Sequence, residues 1–114
     1  MNFENVRCAF YAKHFLQNGL DKMITNLLCF ALENGIDPTT SFFYQDHCAD
    51  ESDSRPGLSL LNENLSNIDA IFTFQHALFK DPVQFEGYRQ FIFEKNIYLI
   101  TLDSKGKSTN IFQI

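Results

Sequence analysis

The sequence predicts an α/β domain of three layers, in which helices cover both faces of a mainly parallel sheet. Three times along the chain, an apolar run of strand length is followed by apolar residues that recur every three or four positions, as in an amphipathic helix. This order is typical of successive strand-helix units. A fourth apolar run is followed by a turn sequence and a last short run, which is typical of an antiparallel edge strand. At 114 residues, the chain predicts a single domain over residues 1–114.

The first strand-helix unit spans the first third of the chain. Residues 6–11 form a largely apolar run, which suits a parallel strand covered on both faces. A helix is then predicted from apolar residues that recur every three or four positions: Leu20, Met23, Ile24, Leu27, Leu28, Ala31 and Leu32. Asn34-Gly35 ends this helix, because glycine adopts the left-handed cap conformation without steric cost.

The second unit begins with a strand over residues 41–46. Arg55-Pro56-Gly57 opens the next helix, because proline is well suited to a first helical position, where its missing N–H is not needed. A leucine stripe continues that helix at Leu58, Leu61 and Leu65. Arg55 is therefore expected at the edge of a sheet beside a helix N-terminus, a place that suits an anion.

The third unit starts with a strand over residues 69–74. Asp81 is predicted to cap the following helix, with Pro82 in its first position and Gln84 able to complete a capping box. The residues expected to be buried along this helix, which should end near Asn96, are Phe85, Tyr88, Phe91 and Ile92.

The last two strands are predicted as a hairpin. Residues 97–102 form the fourth apolar run, and residues 103–107 contain the polar and glycine residues of a turn. Residues 109–114 are then expected to return as an antiparallel edge strand.

Charge and cysteine content limit the partners and the compartment. The net charge is −5, and the basic residues are scattered singly, so the chain is not expected to grip DNA or a membrane on its own. Three widely spaced cysteines predict reduced thiols in a cytoplasm, with Cys8 and Cys29 buried as small apolar residues. A basic and apolar leader is not expected, since Glu4 lies near the start, and the apolar runs are too short to cross a bilayer.

Polar residues after the parallel strands indicate where a ligand would bind. Ligands of open sheets bind beyond the carboxyl ends of the strands, at the point where the strand order reverses. With an order of 2-1-3, one edge would hold the following residues: Lys13, His14, Asp46, His47, Cys48, Gln75 and His76. One hypothesis is a metal site built from His14, His47 and His76, with Asp46 or Cys48 as a further ligand, although no two of these residues share a recognised ligand spacing. Solvated loop histidines are the competing interpretation.

Four motifs in matching order resemble the N-terminal catalytic domain of the serine recombinases, the resolvase and invertase family. These motifs are Phe10-Tyr11-Ala12-Lys13, Phe43-Tyr44-Gln45-Asp46, Ser54-Arg55-Pro56-Gly57-Leu58 and Leu78-Phe79-Lys80-Asp81. The resemblance implies a resolvase-like sheet of five strands in the order 2-1-3-4-5, with the last strand antiparallel. It also implies a site in which a serine attacks a DNA phosphate while arginines stabilise the developing negative charge.

Several positions depart from the catalytic pattern that the resemblance implies. The nucleophilic serine falls on Phe15, and an aspartate-arginine pair falls on His76 and Ala77. Two further arginines are replaced by Lys13 and Lys80. Each replacement exchanges a planar guanidinium, which can bind a phosphate through two N–H groups, for a single ammonium group. Only the arginine after the second strand is retained, as Arg55.

These replacements predict a degenerate site that no longer cleaves DNA. We expect an interaction or regulatory domain that needs no cofactor. Its expected partner is a second copy of the chain or a recombinase-like protein. The resemblance implies a dimerisation helix and a DNA-binding domain after the fifth strand, and we expect neither in this sequence. DNA would therefore be contacted only weakly or through those missing parts. The alternative is a binding domain for a small anion or phosphorylated ligand that uses Lys13, Arg55 and Lys80.

Overall fold

The computed structural model describes residue 3, residues 5–48 and 54–102, and the backbone of residues 108–112. Strands and helices alternate along this part of the chain. The elements are β1 (Cys8–His14), α1 (Gln17–Glu33), β2 (Phe42–His47), α2 (Pro56–Glu63), β3 (Ala70–Thr73), α3 (Gln75–Leu78), α4 (Pro82–Glu94), β4 (Tyr98–Leu102) and β5 (Ser108–Phe112). Short 3-10 turns cover Pro38–Thr40 and Leu65–Asn67. No helix among the described residues is both long and apolar enough to span a bilayer.

The sheet has the order β2-β1-β3-β4, and these four strands are parallel, which confirms the predicted α/β class. The backbone of β5 pairs antiparallel with β4. The predicted turn at residues 103–107 lies outside the described residues. Since β1 lies between β2 and β3, the strand order reverses at β1, and the chain leaves β1 at the place where ligands of such sheets bind.

Aromatic rings form much of the core on the α1 face of the sheet. Phe10 and Phe72 lie on neighbouring strands, with ring centroids 5.2 Å apart, and Phe30 of α1 lies 5.3 Å from Phe72. Phe3 closes the cluster with an edge-on contact to Phe72. Successive side chains of a strand point to opposite faces. Tyr11 therefore lies on the other face, toward α2.

Strand β1 extends three residues beyond its predicted end, because its ladder with β2 continues through polar residues. Lys13 pairs with Asp46 in the register, and His14 pairs with His47. Helix α1 also begins earlier than expected, at Gln17 instead of Leu20. Helix α3 was not predicted, since four residues are too few to show a helical repeat.

The structure confirms some of the predicted helix ends and buried residues and contradicts others. The Asp81 carboxylate accepts a 2.9 Å hydrogen bond from the Val83 N–H, as expected of a helix cap. Gly35 has φ +71°, which confirms the left-handed end of α1. Cys8 is buried as expected, whereas Cys29 is exposed on the outer face of α1. Phe91 was expected in the core but remains 38% exposed, whereas Phe85, Tyr88 and Ile92 of the same helix are buried.

Candidate functional site

Arg55 directs its guanidinium into the protein at the carboxyl edge of the sheet. The residue immediately precedes α2 and is only 9% exposed. Its Nη2 donates to the Tyr11 hydroxyl at 2.8 Å, and its Nη1 donates to the Leu78 carbonyl at 2.6 Å. Nη2 also donates to the Ala77 carbonyl at 2.5 Å, and the guanidinium carbon lies 5.3 Å from the centre of the Phe79 ring. Arg55 thus holds the short helix α3 against β1.

Asp46 completes this buried network from the end of β2. It accepts a 2.6 Å hydrogen bond from the Tyr11 hydroxyl. It also accepts hydrogen bonds from the backbone N–H groups of Gly57 and Leu58, at 2.7 and 2.9 Å. A carboxylate in this position satisfies the first turn of α2 and complements its positive end.

The Tyr11 hydroxyl therefore links a buried cation to a buried anion. Burial is the main reason that the pKa of Tyr11 lies above its ordinary value of 10.0. The hydrogen bond to Asp46 raises the pKa further, against the opposing charge of Arg55. The phenol stays protonated under ordinary conditions, and it serves as a neutral bridge between the two charged groups.

Arg55 lies beside the start of α2, as the sequence predicted, and its guanidinium points into the protein instead of toward a site for an anion. The two carbonyls that accept its N–H groups, those of Ala77 and Leu78, both belong to α3, which sequence patterns did not predict. A guanidinium near backbone carbonyls forms charge-assisted hydrogen bonds, which are stronger than neutral ones. Those acceptors draw the side chain inward.

The remaining positions that the resemblance singles out lie around this network. Lys13 is 5% exposed and lies opposite Asp46 in the β1–β2 ladder. Ala77 is buried, and its carbonyl is one of the acceptors of Arg55. Lys80 follows α3 and is exposed.

Phe15, at the position that the resemblance gives to the nucleophile, lies on the surface between β1 and α1. Its side chain is 57% exposed, and its ring stacks on the His14 imidazole with centroids 4.9 Å apart. Its backbone oxygen lies 3.0 Å from His47 Nε2. A phenyl ring has no atom that could attack a phosphate. The structure therefore places an aromatic stack where the family pattern requires a hydroxyl.

The three histidines lie at the same edge of the sheet, as the sequence predicted, but they do not form a metal site. His14 and His47 end their strands, and His76 is the second residue of α3. His14 Nδ1 accepts a 3.0 Å hydrogen bond from the Leu16 N–H, so it serves the local backbone. Within the described residues, no group of three or more histidine, cysteine or acidic side chains is arranged to hold a metal ion.

Positive charge converges on His76. The pKa of this partly exposed imidazole is lowered from its ordinary value of 6.5, first by burial and then by His14, Lys80 and Lys13. The three cationic or titratable groups lie on two different segments, the end of β1 and the residues after α3. This convergence gives the edge of the sheet a local preference for anions, despite the acidic composition of the chain.

The parallel order β2-β1-β3-β4 with its helices is an α/β fold, and a comparison with solved structures supports a serine recombinase-like fold. The chain is similar in structure to the C-terminal catalytic domain of ISC1926 TnpA, an IS607-like serine recombinase, with a TM-score of 0.72. The similarity covers 84% of this chain and 67% of that chain, at 18% sequence identity. At that identity, the comparison shows the fold alone. No family model matches the sequence, and no curated protein matches it.

Proposed function

We propose that this recombinase-like domain does not cleave DNA and acts by binding another molecule. The observation that carries the proposal is Phe15, an exposed aromatic residue at the position where the family resemblance requires a serine. Without a nucleophile, no covalent protein-DNA intermediate can form at this position. Loss of an attacking group lowers the rate of such reactions by many orders of magnitude.

The arrangement of Arg55 supports the same proposal independently. Stabilising a phosphoryl transition state requires fixed cations directed at the reacting oxygens. Here the guanidinium is directed at Tyr11 and at the carbonyls of Ala77 and Leu78. Binding a phosphate through Arg55 would first require several buried hydrogen bonds to break, each of which leaves an acceptor unsatisfied.

DNA cleavage assays test the proposal with a matched variant. Wild-type protein and Phe15→Ser are incubated with a library of nicked duplexes, and covalent adducts are separated on denaturing gels. We expect no adduct from either protein, since the variant restores a hydroxyl but leaves Arg55 directed inward. An adduct from the wild type would overturn the proposal. An adduct from Phe15→Ser alone would contradict the argument from Arg55 and leave the argument from Phe15 intact.

A second candidate function is the binding of a small anion or phosphorylated ligand, for which the sequence singled out Lys13, Arg55 and Lys80. Because Arg55 is directed inward, its support comes from Lys13 and Lys80, whose positive charges act on His76. A ligand that binds only the folded state raises the thermal midpoint as its concentration exceeds its Kd. Thermal unfolding with phosphate, sulfate and nucleotides tests this function, and Lys80→Gln should reduce any shift. An unchanged midpoint at millimolar ligand would rule it out.

A further inference from the structure

A cavity of about 180 Å³ lies on the α1 face of the sheet, beside the ends of β1 and β3. Two imidazoles, His14 and His76, line it together with the ammonium-bearing Lys22 of α1. Met23 and Phe74 supply apolar walls. The cavity therefore combines groups that can carry positive charge with a small apolar surface.

This cavity is separate from the Arg55 network because the two lie on opposite faces of β1. Tyr11 contacts Arg55 on the α2 face. Side chains alternate along a strand, so His14, three residues further on, lies on the α1 face. Lys22 and Met23 of α1 also line the cavity, which agrees with its position on the α1 face.

His14 is held in one orientation at the cavity wall. Its Nδ1 accepts the Leu16 N–H, so in the neutral ring Nε2 carries the proton and acts as a donor. The ring also lies directly over Gly19, where an added Cβ would be 2.3 Å from His14 Cε1. A donor fixed in this way loses little conformational entropy when it binds a ligand.

The charges that face His76 are all positive among the described residues that act on it. From β1 it is Lys13, with the His14 imidazole beside it, and from the segment after α3 it is Lys80. From α1, Lys22 lines the same cavity. None of the described residues that line the cavity is an aspartate or a glutamate. A complementary ligand therefore carries negative charge.

We propose that this cavity binds a small oxyanion, either inorganic sulfate or phosphate or a phosphate monoester with a few carbon atoms, more tightly at acidic pH. The volume corresponds to about six water molecules and is below the ~300 Å³ at which pockets for drug-sized ligands begin. Met23 and Phe74 would contact the organic part. The site takes an anion, as the second candidate function does, but it binds the anion at His14, Lys22 and His76, on the opposite face from Arg55.

The pH dependence follows from His76, which lines the cavity. Protonation of His76 adds a positive charge beside the bound anion, and an anion favours the protonated form of a neighbouring histidine. Affinity for an anion of constant charge should therefore rise as the pH falls. Sulfate is a suitable probe because it remains a dianion across this range, whereas phosphate itself titrates.

Calorimetric and NMR titrations with sulfate, at about pH 5.5 and about pH 7.5, test the site. We expect sulfate to shift the imidazole resonances of His14 and His76, with a Kd about tenfold lower at the acidic pH. Lys22→Gln should weaken binding about fivefold without affecting the fold, since Lys22 is exposed. His47→Gln should leave binding unchanged, because His47 does not line the cavity.

Three results would overturn this assignment. One is the absence of imidazole shifts at millimolar sulfate. A second is an affinity that does not change with pH. The third is binding that Lys80→Gln abolishes and Lys22→Gln leaves intact, which would place the anion on the Arg55 face and so favour the second candidate function. The two proposals can also be separated. If sulfate binds in the cavity, and the thermal shifts with phosphate and nucleotides do not depend on Lys80, the cavity site stands and the second candidate function fails.

Discussion

The Tyr11 hydroxyl donates a 2.6 Å hydrogen bond to the Asp46 carboxylate in the interior of the protein. The same oxygen accepts a hydrogen bond from Arg55, so one phenol joins β1 to the charged groups on either side of it. Asp46 also caps α2, and Arg55 also holds α3. The position that resembles part of a recombinase active site is therefore a structural connection between four elements.

Removing this hydroxyl should destabilise the protein strongly. Tyr11→Phe leaves buried Asp46 and Arg55 each without one partner, and we expect a loss of about 2–4 kcal/mol in the free energy of unfolding. Urea titration measures the loss. Tyr44→Phe is the control, because its hydroxyl accepts one 2.9 Å bond from Asn64 in a part-buried place. It should cost about 1 kcal/mol. If both variants lost the same free energy of unfolding, the Tyr11 hydroxyl would not be the stabilising link between Asp46 and Arg55.

The close approach of α2 to β2 should make Gly57 irreplaceable. An added Cβ would lie 2.3 Å from the backbone oxygen of Gln45, which cannot swing aside as the end of a flexible side chain can. Gly57→Ala should therefore cost about 2–3 kcal/mol in thermal or urea unfolding. Gly87→Ala in α4 is the matched control, since nothing lies within 4 Å of its added Cβ. Alanine's helix propensity should stabilise that variant by about 0.5–1 kcal/mol.

If Gly57→Ala behaved like Gly87→Ala and raised the stability, α2 would not lie against Gln45 as described. The cap by Asp46 would then also need another explanation, since it depends on the same close approach.

The pH dependence of stability should report on His76. Its pKa in the folded chain is lowered from 6.5, chiefly by burial and then by His14, Lys80 and Lys13, so the unfolded chain binds more protons. The contribution of this group to stability is fully present above its ordinary pKa, and it declines as the pH falls through 6.5 toward the folded value. His76→Gln removes this dependence.

The test compares urea unfolding of the wild type and His76→Gln across the acidic range. The wild type should lose stability relative to the variant as the pH drops below about 6.5, and the difference should be constant above about pH 7.5. A constant difference throughout the acidic range would show that neither burial nor the neighbouring cations lower the pKa of His76.

Sequence patterns predicted the elements of this fold because hydrophobic spacing and capping residues act locally. The alternation of strands and helices was visible in the apolar runs, and Asp81-Pro82 marked the start of α4 as observed. The end of β1 was not visible. Lys13 and His14 are polar, and they are included in the strand only because β2 offers a ladder partner for each.

The site was harder to predict than the fold because its contacts join distant segments. Arg55 lies beside α2 as predicted, but the direction of its side chain depends on the carbonyls of Ala77 and Leu78, more than twenty positions away. The partner role of Tyr11 was likewise missed. A tyrosine on a buried strand needs a partner for its hydroxyl, and this requirement was a signal that the sequence did contain.

The central claim, that this recombinase-like domain lacks a nucleophile for DNA, is tested most directly by the intact mass of the protein. The purified chain is incubated with nicked duplexes of randomised sequence, denatured, and weighed by mass spectrometry. We predict that its mass stays that of the unmodified polypeptide. A population heavier by a covalently attached oligonucleotide would contradict the claim, and peptide mapping would then identify the residue that attacked.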